Sequence, residues 1–230
     1  MKMRVSVVMP VYNEIATISR TVQECRTDIL AHFSQGEIIV VDDGSTDGSS
    51  EALKTLSKQI AELTVLHNHL NLGHGPSLMR ALETATGDYI FYMDSDYQHL
   101  PRDFWKLFSH IEQADVVIGL RAQRQDPFHR KLLSRLANNL IRLIFHCTLK
   151  DLNVPFKLFQ RTDLHYLLSL IPENAHIPST LTVLAAQKAG LLVRQVSVTH
   201  LPRNSGSSSF LGWRLFLFCG QVIRELLWFR

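Results

Sequence analysis

Gly87-Asp88-Tyr89-Ile90-Phe91-Tyr92-Met93-Asp94-Ser95-Asp96-Tyr97-Gln98 is an apolar run that ends abruptly in two carboxylates. Tyr89 to Met93 is short, aromatic and β-branched, and the turn signal Gly87-Asp88 precedes it, so it is predicted to be a buried strand. The acids then stand at its carboxyl end. Ligands of an open parallel sheet bind along that edge, and residues two apart in extended chain share a side. Asp94 and Asp96 are therefore candidates to share one cation. Hard oxygen ligands suit Mg²⁺ or Mn²⁺, which keeps positions open for phosphate oxygens. The chemistry implied is a metal held on a diphosphate, neutralising charge as a nucleotide leaves. Read alone, Asp-Ser-Asp favours a polar turn in which Ser95 or Asp96 satisfies backbone groups, and the neighbouring stretches change that.

Upstream, Val5 to Met9 reads as a first strand stopped by Pro10, and Asn13-Glu14 opens a helix with apolar positions at Ile18, Val22, Cys25 and Ile29. Glu37 to Val41 is a second strand, running into Asp42-Asp43-Gly44-Ser45-Thr46-Asp47-Gly48, with a helix from about Ser50. Thr64 to His67 is a third strand, and Pro76 to Ala85 a helix behind Gly73-His74-Gly75. Downstream come a helix from Pro101 and a strand at Val116 to Ile118. This repeated β-α alternation predicts a right-handed, doubly wound, mostly parallel sheet. Its strand ends at Pro10, Asp42 and Asp94 fall along one edge.

The chain has 230 residues and is 46% hydrophobic, enough for a full core and against disorder. Cys25, Cys147 and Cys219 are far apart, which fits reduced core thiols in a cytosolic setting. Met1-Lys2-Met3-Arg4 resembles a signal-peptide start, but Ser6, Pro10 and Asn13 cut the apolar run behind it, so no targeting segment is expected. The net charge of +3 conceals a division. Residues 1–120 carry nine Lys/Arg against sixteen Asp/Glu, residues 121–161 nine against two, and residues 162–230 six against three. Concentrated basic charge points to an anionic partner such as phosphate, membrane surface or nucleic acid, with a solvated basic face as the plain alternative.

Two loops add candidates. Asp42 stands where a carboxylate accepts hydrogen bonds from a nucleobase, while Asp43, Ser45 and Thr46 equally suit capping of the next helix. Asn71-Leu72-Gly73-His74-Gly75 has glycines that allow backbone to approach a phosphate. His67, His69 and His74 are clustered, but with no accompanying carboxylate or cysteine in sequence they read as solvated histidines rather than metal ligands.

Pro10-Val11-Tyr12-Asn13-Glu14, Val41 to Gly48, Asn71 to Gly75 and Gly87-Asp88 through Met93-Asp94-Ser95-Asp96-Tyr97-Gln98 together resemble a family 2 glycosyltransferase in order and spacing. The resemblance implies a GT-A domain binding a nucleotide-sugar. Pro10, Tyr12, Glu14 and Asp42 would lie around base and ribose, Asp43, Gly73 and Ser95 in the donor site, and Asp94 and Asp96 on the metal. A plain dinucleotide-binding fold is disfavoured, since no Gly-x-Gly-x-x-Gly follows the first strand.

The second half extends the likeness. From His129 to Phe145, Leu132, Leu133, Leu136, Leu140, Ile141 and Ile144 recur at helical spacing among Arg130, Lys131, Arg135 and Arg142. This basic amphipathic helix suits either an anionic membrane interface or packing on the sheet. Phe210 to Phe229 has fourteen apolar residues in twenty, with Arg214, Gln221, Arg224 and Glu225 projecting on one stripe. Central charges cost about 2.5–3.5 kcal/mol each on insertion, so an interfacial helix anchored by Trp213 and Trp228 is expected rather than a span; docking on the protein, or on an integral-membrane partner, is the alternative. Gly119-Leu120-Arg121, Arg130 with Ser134 and Asn138, Asp151 to Phe159, and His200 to Ser208 resemble, in that order, the dolichol- and polyprenyl-phosphate sugar synthases of the family.

That resemblance implies a domain over residues 1–209, with a donor half to residue 120 and an acceptor half from 121, followed by the interfacial helix 210–230. It implies that Arg121, Arg130 and Ser134 hold the phosphate of a polyprenyl or dolichyl acceptor, that Arg203 reaches the donor diphosphate, and that Gln98 adds a metal or phosphate contact. Mg²⁺ or Mn²⁺ is the expected cofactor, and the cytoplasmic face of a membrane the expected place. Many relatives have Ala at the position of Ser95 and Lys at that of Ser209. An ionised lipid phosphate needs no protein base, so the task is positioning and charge stabilisation, with inversion at the sugar. Asp151 orients the acceptor or an arginine, or caps a turn. Competing readings are a hydroxyl acceptor, which requires a carboxylate base; a catalytically silent nucleotide-binding protein; and, ranked lowest, nucleic-acid binding.

Overall fold

The computed structural model describes residues 3–121, 139, 141–202 and 213–229, with side chains of the last segment from residue 220 onward. Seven strands form one sheet: β1 (Arg4–Val11), β2 (Gln35–Asp42), β3 (Leu63–His67), β4 (Tyr89–Met93), β5 (Val116–Arg121), β6 (Phe156–Gln160) and β7 (Val193–Val198). Their order is β3-β2-β1-β4-β6-β5-β7. β1, β2, β3 and β4 are mutually parallel, as are β5 and β7, while β6 runs antiparallel between β4 and β5. The expected parallel alternation thus holds for the first half, and one reversed strand joins it to the second.

The runs that read as strands do so because both faces are covered. Val5 to Val11 is buried throughout, which requires a continuous apolar run rather than alternation. Helices α1 (Ile18–Asp28), α2 (Ser49–Gln59), α3 (His74–Thr84), α4 (Phe104–Phe108), α5 (Arg161–Ser169) and α6 (Pro178–Lys188) flank the sheet, and α7 (Trp213–Phe229) ends the described chain. Cys25 and Cys147 are buried free thiols, as expected of core cysteines.

Because β6 reverses, the carboxyl ends of β4, β5 and β7 and the amino end of β6 share one edge. Asp94, Arg121, the Asp151–Pro155 connection and the Thr199–Leu201 segment therefore converge there, beside the ends of β1 and β2. The helix expected from His129 to Phe145 is described at residue 139 and residues 141–145, where Ile141 is buried and Leu143 exposed; the rest of it lies outside the described residues.

α7 docks on the body. The Glu225 carboxylate accepts from the backbone N–H of His176 (2.9 Å) and Ile177 (3.3 Å) just ahead of α6, Leu226 and Phe229 are buried, and Lys188 Nζ donates to the Phe229 carbonyl (2.8 Å). The expected polar stripe is corrected here: Gln221 and Arg224 are exposed, but Glu225 faces inward because two backbone amides need an acceptor. Burial pushes its carboxyl above the usual range, against those bonds. Ile223, Leu227 and Trp228 remain on the outer face, Leu227 58% and Trp228 68% exposed.

Candidate functional site

The two donor-side loops are built by their own carboxylates. Asp42, at the end of β2, is buried and accepts from the Ser45 amide (3.1 Å), the Ser50 hydroxyl and His67 Nδ1 (3.1 Å). Burial works to raise its pKa, but the bonds from Ser45, Ser50 and His67 outweigh it and hold the group below the ordinary carboxylate range. Asp43 accepts from the Asn68 side chain (2.8 Å) and from the amides of Leu72 (2.9 Å) and Gly73 (2.9 Å), so it shapes the glycine loop rather than capping α2. That capping falls instead to Asp47, whose Oδ1 accepts from the Ser49 amide (3.0 Å) and hydroxyl (2.6 Å).

Pro10 does not stop β1, which runs on to Val11, and its carbonyl accepts from the Ser95 hydroxyl (3.1 Å), which ties β1 to the acidic turn. Tyr12 beside it is partly exposed, and Glu14 is buried, its amide donating to Ser49 Oγ (2.9 Å). Asn13 takes a left-handed φ of 56°, stabilised by its side chain accepting from the Thr46 amide (2.8 Å).

At the end of β4, Asp94 Oδ1 accepts from the Tyr92 phenol (2.9 Å) and lies 3.1 Å from His74 Nε2. Burial raises the Asp94 pKa, but His74 and Tyr92 overcome this and hold it low; for His74 partial burial is overcome in the other direction by Asp94, then by the charges of Asp43 and Asp96. The negative charges of both aspartates act on His74 and on Tyr92. Asp96 Oδ1 accepts from the Gln98 amide (3.1 Å). Between them Tyr97 adopts a left-handed φ of 57°, a strained conformation for a bulky side chain. The Glu24 carboxylate holds its phenol at 2.7 and 2.6 Å, and Arg20 stacks 4.0 Å from its ring. Gln98 is tied to the far side, its amide nitrogen donating to the Leu201 carbonyl (3.3 Å) while its own carbonyl accepts from the Leu201 amide (2.8 Å).

Across β6, Arg121 and Asp151 form a two-bonded pair, Nε to Oδ2 at 2.7 Å and Nη2 to Oδ1 at 2.8 Å, with side chains only 12% and 5% exposed. Of the roles left open for Asp151, the geometry shows that of orienting an arginine. Arg130, Ser134, Arg203 and Ser209 lie outside the described residues.

A model of the family described as Glycosyl transferase family 2 matches residues 6–173. The chain belongs to glycosyl transferase family 2. Among curated relatives of this family-2 chain, undecaprenyl-phosphate 4-deoxy-4-formamido-L-arabinose transferase of Serratia proteamaculans is 31% identical over 214 residues, 90% of this chain and 63% of that protein. The protein of the same name from Pectobacterium carotovorum is 32% identical over 213 residues, 90% and 62% respectively. The chain thus spans less than two thirds of the length of these relatives. Glucosyl-3-phosphoglycerate synthase from Mycobacterium tuberculosis, in a crystal structure with Mn²⁺ and uridine-diphosphate-glucose, superposes with a TM-score of 0.70 at 21% identity, covering 99% of this chain and 79% of that one. That likeness shows the GT-A fold.

Within this family-2 site, the pair Asp94 and Asp96 offers hard oxygen donors suited to a divalent cation. Among the described residues no three His, Cys, Asp or Glu side chains converge on one point; a divalent cation held by Asp94 and Asp96 would complete its shell with substrate and water oxygens. His67 and His74 are half exposed, as expected of solvated histidines, yet each is bonded to a site aspartate, which the sequence reading did not anticipate. Tyr92, Lys157 and Ser179 were also missed. Lys157 of β6 is fully buried, and burial pushes its pKa down to about 7 against the pull of Asp151 and Asp94.

Gly75, in the first turn of α3 and next to His74, packs closely against backbone. A Cβ there would stand 2.2 Å from the Ala175 carbonyl oxygen and 2.6 Å from that of His176, both backbone. Gly75→Ala is therefore expected to cost about 1–3 kcal/mol as overpacking and to shift His74, read as a lowered melting temperature together with weakened Mn²⁺ binding. Unchanged melting would show that this contact yields freely.

Proposed function

We propose that the chain is an inverting glycosyltransferase that moves a sugar from a nucleotide-sugar, of GDP-mannose or UDP-hexose type, to a polyprenyl or dolichyl phosphate. The observation that carries this reading is one sheet edge holding the Asp94 and Asp96 carboxylates on one side of β6 and the buried Arg121–Asp151 pair on the other. Anionic donor and anionic acceptor need opposite treatment, a cation for one and a guanidinium for the other. The likeness to transferases whose name specifies undecaprenyl phosphate supports the acceptor class.

In this reading Tyr12, Glu14 and the loops shaped by Asp42, Asp43, Gly73 and Ser95 hold the nucleoside. A divalent cation, Mg²⁺ or Mn²⁺, held by Asp94 and Asp96 with Gln98 nearby, supplies charge neutralisation on the diphosphate. Arg121, with Arg130 and Ser134, holds the lipid phosphate in line with the anomeric carbon, and Arg203 faces the leaving diphosphate. The acceptor oxygen is already ionised near neutral pH, so Asp151 does not take a proton from it; it keeps Arg121 in place.

The outer face of α7, with Ile223, Leu227 and Trp228, suits the lipid interface at the cytoplasmic face of a membrane. No described helix is long and apolar enough to cross a membrane. Leu227→Asp combined with Trp228→Ala is expected to reduce flotation with vesicles of anionic phospholipid about tenfold or more, given about 1.5–3 kcal/mol per buried large apolar side chain. Undiminished flotation removes α7 from the lipid contact; flotation of neither protein, with recovery on membranes carrying native proteins, assigns the face to an integral-membrane partner.

The deciding experiment incubates the protein with Mn²⁺ or Mg²⁺, polyprenyl phosphate and one nucleotide-sugar at a time, and resolves lipid-linked sugar by thin-layer chromatography. Metal-dependent glycolipid from one donor is the expected result. No product from any donor, with nucleotide still bound, overturns the lipid-phosphate reading.

A further inference from the structure

A lysine with no exposed surface in the middle of a sheet is a costly choice, since several kcal/mol are needed to desolvate an ammonium and an apolar side chain fills the same space. Lys157 is such a residue. In register it faces Tyr92 of β4 and Ile118 of β5, so its side chain shares a face with Tyr92 between the two halves of the site. Its ammonium nitrogen donates to the Leu152 carbonyl (2.9 Å), to Ser179 Oγ (2.6 Å) and to the Ser179 carbonyl.

These bonds run in two directions. Ser179, in the first turn of α6, accepts from Lys157, and Lys157 stands directly beside Tyr92 in the β4–β6 register. Tyr92 in turn donates to Asp94 Oδ1 (2.9 Å). This series, Ser179 to Lys157, Lys157 beside Tyr92 and Tyr92 to Asp94, ends on a carboxylate of the acidic turn. On the other side, Leu152 follows Asp151, the residue that grips Arg121.

We infer that Lys157 is a positioning residue for both halves of the site, orienting Asp94 through its neighbour Tyr92 and fixing the Asp151 turn through the Leu152 carbonyl; the inference rests on the proposed reading of Asp94 as a metal ligand. Groups that orient metal ligands change metal affinity by about 10–100-fold when removed.

The test is calorimetric titration of Mn²⁺ into the full chain in the presence of UDP and, separately, GDP, with melting temperature measured in parallel. Lys157→Met, which keeps the volume and removes the donors, is expected to weaken Mn²⁺ at least about tenfold. Ser179→Ala and Tyr92→Phe cut the same series and are expected to weaken it severalfold, and Lys157→Met with Tyr92→Phe is expected to be no worse than Lys157→Met alone. A lysine that served only the fold would lower melting and leave Mn²⁺ affinity of the folded protein unchanged, and that result overturns the inference. Should Lys157→Met fail to fold, Ser179→Ala and Tyr92→Phe decide: weakened Mn²⁺ supports the inference and unchanged Mn²⁺ overturns it. Wild-type protein that binds neither nucleotide with Mn²⁺ overturns the functional reading and the inference together, whereas normal wild-type binding with unaltered variants overturns the inference alone.

Discussion

Asp96→Ala is expected to lower lipid-linked product formation by about 10³-fold, comparable to removing a preorganised charge-stabilising group from other active sites, with only a small loss of stability. The carboxylate accepts from the backbone amide of Gln98 at 3.1 Å and sits in a turn held by other groups. Tyr97 is fixed by Glu24 and Arg20, and Gln98 by Leu201. Loss of one such hydrogen bond costs about 1 kcal/mol, so the protein stays folded and the activity loss is chemical in origin. Asp96→Asn sharpens the point, since it keeps an acceptor for Gln98 and discards the charge. Melting near that of the wild type with turnover still reduced at least about 10²-fold is the expected pairing. Turnover within a fewfold of the wild type for both variants would remove Asp96 from the metal and return Asp-Ser-Asp to a turn.

Strands and turns of this chain were legible where one physical demand dominated. Val5 to Met9, Ile38 to Val41 and Tyr89 to Met93 are buried on both faces, so an apolar run bounded by turn residues specifies them. β7 was not read because Val193-Arg194-Gln195-Val196-Ser197-Val198 lies at the sheet edge, half covered, and its alternation is interrupted by polar residues adjacent in sequence. α5 and α6 were missed as well; α6 is buried over most of its length and so lacks the one-sided pattern that marks a surface helix.

The site divides in the same way. Asp94 and Asp96 are visible in sequence because charged residues directly after a buried strand announce themselves, and Arg121 only through the family resemblance of Gly119-Leu120-Arg121. Tyr92 is not, since a phenol inside an apolar run looks like core, and only the fold shows its hydroxyl on Asp94. Lys157 sits in Phe156-Lys157-Leu158-Phe159, where strand alternation alone would direct it to solvent; the packing of α6 over that face buries it instead. Glu225 misleads for the converse reason. Periodicity assigns polar residues to water, but the unbonded amides of His176 and Ile177 lie on the opposite side of α7 and select the carboxylate. Partners distant in sequence decide the last two.

Asp151→Ala is expected to destabilise the protein by about 3–5 kcal/mol, because it leaves the Arg121 guanidinium, 12% exposed, without its carboxylate. The pair is worth little as a source of net stability, since desolvating both ions offsets most of their attraction. What matters is the asymmetry. Removing one partner strands a charge, while removing both leaves a neutral cavity. Arg121→Met with Asp151→Leu is therefore expected to recover most of the melting temperature lost in Asp151→Ala, measured by circular dichroism. Recovery of folding without recovery of lipid-linked product separates the fold from the proposed acceptor role, since the restored fold then lacks the guanidinium proposed to hold the acceptor phosphate. A double variant that is both stable and active would place acceptor binding elsewhere, on the basic segment beyond β5. If the double variant melts no higher than Asp151→Ala, the fold depends on the bonds of Asp151 to this edge and not on the stranded charge.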